Sequence, residues 1–157
     1  KISKQFALGG GLRYTADRKN NLSYDHDFRF NFDMHYKQKI SRLTLNFRLR
    51  YQNENELGIS HAEGDEVNHD WRFRMETEYN IRNWKLDPYV AAEIFSDASA
   101  LKNGLTKARF TLGTEYSLSK RSDFGAFYRI ERELGETYPK TTYIVGLNYT
   151  YTLKNKK

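Results

Sequence analysis

The feature that most constrains this chain is a two-residue alternation of apolar and polar side chains sustained over long stretches. From Tyr24 to Tyr36 one face carries Tyr24, Phe28, Phe30, Phe32, Met34 and Tyr36. The other carries Asp25, Asp27, Arg29, Asn31, Asp33 and His35, and His26 interrupts the apolar row. From Leu43 to Gln52 the pattern recurs, with Leu43, Leu45, Phe47, Leu49 and Tyr51 against Thr44, Asn46, Arg48, Arg50 and Gln52. Trp71, Phe73, Met75, Tyr79 and Ile81 alternate with Arg72, Arg74, Glu76, Glu78 and Asn80. A period of two places successive side chains on opposite faces of a strand, and no stretch shows a helical period. The chain is predicted to be all-β.

Eight strands are expected, over about 4–16, 23–36, 40–52, 69–81, 86–96, 105–118, 123–132 and 141–153. Tight connections fall near Lys37–Lys39, Arg82–Lys85 and Ser119–Ser122. Longer polar connections run over 17–22, 53–68, 97–104 and 133–140. Short turns at one end and long loops at the other describe an up-and-down antiparallel transmembrane β-barrel, one domain over residues 1–157. A repeat supports this reading: KISKQFALGGGLRY at 1–14 returns as KISRLTLNFRLRY at 39–51. The descending end YSLSK at 116–120 is echoed by YTYTLK at 149–154. The pattern suits closure of strand eight on strand one; it suits equally a ten-strand barrel whose upstream hairpin is not part of this chain.

Alternation alone does not separate a membrane barrel from a soluble one. An eight-stranded barrel has an interior just wide enough for side chains to fill. The apolar face is rich in Tyr, Trp and Phe and is too bulky for that space. The polar face contains small residues, Gly9, Gly11, Ala91, Gly113, Gly125 and Gly146. Aromatics also gather near strand ends: Tyr14, Tyr24, Tyr51, Trp71 and Tyr143 toward the long loops, and Tyr36, Tyr79, Trp84, Tyr116, Phe124 and Tyr151 toward the short turns. Two such girdles are expected where amphipathic rings meet both bilayer interfaces. The apolar face is therefore predicted to face lipid, as in an outer-membrane barrel. The mean hydropathy of −0.86 is then an average over two unlike faces.

The polar face holds nine bases and ten acids, a near-neutral set. Its candidate lumen network comprises Arg13, Asp25, Asp27, Arg29, Asp33, Arg48, Arg50, Arg72, Arg74, Glu76, Glu78, Glu93, Lys107, Arg109, Glu115, Arg129 and Glu131, with Asp87 and Asp123 at the short-turn end. An unpaired charge in a narrow lumen costs about several kcal/mol, so these groups are expected to pair and to plug the barrel. The formal charge of +6 comes from elsewhere. The short-turn end and termini hold twelve bases and no acid, whereas the long loops hold five bases and ten acids.

The segments RLTLNFRLRYQNE at 42–54, WRFRMETEYNI at 71–81, LDPYVAAEIF at 86–95, KARFTLGTEYSLSKRSDFGAFYR at 107–129 and IVGLNYTYTL at 144–153 resemble a family of small Gram-negative outer-membrane β-barrels known only as a domain of unknown function. The resemblance implies fold and location and supplies no activity. It also implies that members can carry further N-terminal strands.

Three chemistries compete with a structural or interactive role through the loops, in which the partners would be outer-membrane lipids, other membrane subunits or surface glycans. The loop SHAEGDEVNHD at 60–70 concentrates His61, Glu63, Asp65, Glu66 and His69, a weak candidate for a divalent cation because its spacing matches neither an EF-hand nor a zinc-protease helix. His26, with Ser23 nearby, is the weak candidate for a lipid-modifying hydrolase; the bland alternative is a girdle histidine bonding to headgroups. The Arg rows could instead line a small ion-conducting pore. Nucleic-acid binding is excluded, since the bases are matched by acids and the aromatics lie on the opposite face. No catalytic residue and no cofactor is assigned.

Overall fold

In the computed structural model the described residues are 3, 5–18, 24–56, 68–97, 104–119 and 121–153. They form eight antiparallel strands: β1 (Phe6–Arg18), β2 (Tyr24–Ile40), β3 (Leu43–Glu56), β4 (Asn68–Tyr79), β5 (Leu86–Asp97), β6 (Leu105–Ser119), β7 (Ser122–Glu133) and β8 (Thr141–Tyr151). Each strand pairs with its sequence neighbours in one continuous up-and-down sheet, strongly curled into a half-barrel.

The alternation is carried straight into the register. Leu49 pairs with Met34 on one side and Phe73 on the other, all outward; Arg50 pairs with Asp33 and Arg72, all inward. Polar residues are buried on the concave face and large apolar ones exposed on the convex face. Ala91 and Phe95 are the buried apolar residues among those described, while Asp33, Thr44, Gln52, Glu93 and Thr111 are the buried polar ones. Outward residues such as Leu12, Phe110 and Val145 are 71, 62 and 80% exposed. A water-soluble sheet of this size buries its apolar face; this one is inside out.

Two expectations are corrected. The sheet does not close, for β1 and β8 each have one neighbour and make no contact with one another. The inward side chains explain the wide curve, because long Arg residues and three inward aromatics, Tyr89, Phe95 and Phe127, occupy the concave face. An eight-strand circumference leaves room only to be just filled. The first tight turn also lies later than expected. β2 runs on through Lys37–Lys39 to Ile40, and the chain reverses at Ser41–Arg42, where Ser41 adopts a left-handed φ of 56°. Alternation simply continues, with Lys37 and Lys39 inward opposite Asn46 and Thr44. These two lysines therefore belong to the concave face and not to the turn.

Candidate functional site: the charged concave face

Antiparallel register sets which inward side chains can meet, and here it sets like charges opposite one another. Arg48 faces Arg74, Arg50 faces Arg72, Arg13 faces Arg29, and Asp87 faces Glu115. Like charges directly opposite destabilise a strand pair, so partners have to come from other positions. Arg50 makes a bidentate pair with Asp33 of β2, at 2.6 and 2.9 Å. Arg74 turns along its own strand to Glu76, which also accepts from Asn46 Nδ2 at 3.2 Å. Arg72 reaches Asp70 at 3.5 Å and Arg29 reaches Glu54.

The centre of the network is Glu93 on β5, 2% exposed. It accepts from Arg48 Nη2 at 2.7 Å and from Arg109 Nη1 at 3.1 Å. Arg109 continues to Glu131 at 2.6 and 2.8 Å, and Lys107 closes on the same carboxylate at 2.8 Å. One chain of ion pairs thus links β3, β5, β6 and β7. Buried charges tolerate such a site only when paired and hydrogen-bonded in this way.

Above Glu93 lies Phe95, an apolar residue in a polar row. Its ring, 5% exposed, packs beneath Arg72 and Arg109, each guanidinium carbon 4.7 Å from the centroid, with Lys107 Nζ at 5.8 Å. The face of an aromatic ring attracts cations, so Phe95 fills volume and gathers three of them over its ring. Phe127 does the same for Arg129 at 4.6 Å. Tyr89 and Phe127 lie across Gly113 and Gly146, where a Cβ would collide with each ring. These two inward glycines are thus the floor on which inward aromatics rest. Hydrophobicity hides these three rings from a sequence reader; parity reveals them, since Phe95 is two residues from Glu93 and Phe127 two from Arg129.

Not every expected member joins. Among the described residues no ion pair includes Arg13, Asp27, Glu78, Glu115 or Arg129, and Arg129 donates to Thr111 Oγ1 at 3.2 Å instead. The side chain of Asp25 lies outside the description. From β4 to β7 the short-turn end of the concave face is acidic, with Glu76, Glu78, Asp87, Glu115 and Asp123 of which only Glu76 is ion-paired, while Lys37 and Lys39 stand at the same end on β2.

Of the loop proposed for a cation, His61, Glu63, Asp65 and Glu66 lie outside the described residues, as does Ser23. Among the described residues no group of His, Asp and Glu is placed to hold a metal. His69 faces outward opposite Asn53, as His26 does opposite Ala16. His26 Nδ1 is 2.6 Å from the Tyr14 hydroxyl, and His69 Nδ1 is 2.9 Å from that of Tyr51.

The fold and its face define a class: an up-and-down antiparallel sheet, curled, with a charged concave face and an apolar convex one. The chain belongs to a family described as "Protein of unknown function (DUF2490)", which matches residues 1–139. No curated protein and no solved structure matches it.

Proposed function

We propose that this chain is the wall of an outer-membrane β-barrel, plugged by its own charge network and acting as a structural or interaction protein through its long loops. The observation that carries the reading is the inverted burial: charged and polar groups inside the curve, Leu, Val, Phe and Tyr on the outside. Lipid is the solvent that favours this arrangement. The strands, of 11 to 17 residues, meet or exceed the roughly 9–11 needed to span tilted. Paired charges on the concave face favour a plug over a conducting path. In this reading the long-loop end is extracellular and meets a surface glycan or another membrane subunit, and the chain carries no catalytic centre of its own.

The spanning claim is tested by refolding the purified chain into phosphatidylcholine vesicles. A folded, heat-modifiable band on gels that resists protease supports it, whereas a chain that stays in the aqueous phase overturns it. The interaction role is tested by pull-down in mild detergent from native membranes. Stoichiometric co-purifying subunits support an accessory role; a lone monomer overturns it.

A further inference from the structure

The three short turns carry bases and no acid: Arg42 in the first, Arg82 and Lys85 in the second, Lys120 and Arg121 in the third. Among the described residues no ion pair includes Arg42, Arg82, Lys85 or Arg121. The carboxylates nearest these turns point into the curve, and two of them are held there by neutral donors. Asp87 accepts from Asn80 Nδ2 at 3.0 Å and Asp123 from Ser117 Oγ at 2.9 Å. The cations of the rim are thus left to face outward partners.

One of these cations is placed by the fold. In the β4–β5 turn the Trp84 N–H donates to the Ile81 carbonyl at 3.2 Å, and Asn83 takes a left-handed φ of 62°. Lys85 then joins the ladder, its carbonyl accepting from the Ser117 N–H at 3.2 Å. Its ammonium lies 5.9 Å from the centre of the Tyr116 ring, and Tyr116 stands outward between Leu86 and Phe124. The charge is thereby carried to the convex side, next in sequence to Trp84, which is 58% exposed.

Beyond Tyr116 the apolar surface dips. The next outward row, Pro88, Thr114 and Ala126, has short side chains. One depression, of about 230 Å³, lies among Thr77, Tyr79, Pro88, Val90 and Leu112. A second, of about 380 Å³, lies among Val90, Phe110, Leu112, Tyr128 and Ile130. They share Val90 and Leu112 and form one trough. Pro88 stands opposite Thr114, four residues from Phe110, so the trough runs about 13 Å along the strands. Half of a bilayer's hydrocarbon core is about 15 Å deep. A cation at the rim and an apolar trough of one leaflet's depth beside it match the two ends of one molecule.

We infer that Lys85, with Arg121 of the neighbouring β6–β7 turn, holds the headgroup of an anionic phospholipid whose acyl chain lies in the trough from Pro88 to Phe110. This inference rests on the spanning reading above, and its test separates the two. Trp71→Phe leaves Trp84 as the single tryptophan and the reporter of the site. The variant is placed in vesicles containing phosphatidylglycerol or phosphatidylcholine, brominated near the headgroup, at equal mole fraction. Preferential quenching of Trp84 by the phosphatidylglycerol is expected, with a relative affinity of about fivefold. Lys85→Gln with Arg121→Gln is expected to bring the ratio to about one while the vesicle-bound chain keeps its β circular dichroism. Ala126→Phe fills the trough and leaves both cations, and is expected to lower the preference to about twofold. An unchanged ratio in that variant overturns the acyl trough. Trp84→Phe leaves Trp71 at the opposite end, where a ratio of about one is expected. The same preference at both tryptophans would be a general surface attraction and overturns the site. Equal quenching of Trp84 by both lipids overturns the site and leaves the spanning reading standing. Quenching by neither overturns both.

Discussion

Glu93 on β5 bonds Arg48 on β3 at 2.7 Å, reaching past the whole of β4 to do so. The two lie in one inward row with Arg74 between them, and their long side chains meet over it. Because Glu93 also holds Arg109, its removal leaves two inward guanidiniums without their carboxylate. Glu93→Gln is expected to destabilise the folded state by about 3 kcal/mol. Urea titration of the vesicle-bound protein measures it. Adding Arg48→Met and Arg109→Met should restore much of the loss, since removing every partner leaves no orphaned charge.

Tyr89 resting on Gly113 gives a second expectation. Gly113→Ala is expected to cost about 1–3 kcal/mol, because the new methyl meets the ring of a side chain that has packed neighbours. Pairing it with Tyr89→Ala should relieve the clash. The same titration checks both, and a neutral Gly113→Ala would show that the ring is not held there.

The open edges have a consequence in a bilayer. Hydrocarbon offers no partner to the outer N–H and C=O groups of β1 and β8, and each unsatisfied group costs about several kcal/mol. Their amides are expected to be paired in the membrane, whichever strand supplies the partner. Hydrogen exchange of the vesicle-inserted protein should therefore find Leu8–Leu12 and Tyr143–Leu147 as protected as Phe47 and Phe73. Fast exchange confined to those edges would contradict spanning by β1 and β8.

A plugged concave face is expected to hold back ions. In planar bilayers the protein should give no steady single-channel opening. Steady opening would mean that the ion-pair chain through Arg48, Glu93, Arg109 and Glu131 does not block the path.

Strand number, order and facing were legible because alternation is local: each strand reports its own two faces without knowing its neighbours. The inward set was legible for the same reason, down to Arg50 and Asp33. Contacts that depend on register were not. Arg48 with Glu93, and Tyr51 with His69, need the alignment of two or three strands, which no single strand encodes. His69 stood both at the start of the expected strand 69–81 and among the cation candidates of 60–70, because Asn68–Asp70 is uniformly polar; it belongs to β4 and faces outward. Phe95 was obscured for the opposite reason, an aromatic in a charged row, stabilised there by cations from β4 and β6. Closure was the least legible feature, since curvature follows from the summed volume of inward side chains and not from any one segment.

The inverted burial is tested most directly by scanning β3. The chain has no cysteine, so each introduced one is unique. Single cysteines from Leu43 to Gln52 are spin-labelled in vesicles, and relaxation by oxygen, which partitions into lipid, is compared with relaxation by a water-soluble nickel chelate. Oxygen is expected to dominate at 43, 45, 47, 49 and 51 and to fall at 44, 46, 48, 50 and 52, a period of two. Nickel access equal to or above that of oxygen at 45, 47 and 49 would place the apolar face in water and contradict the membrane reading.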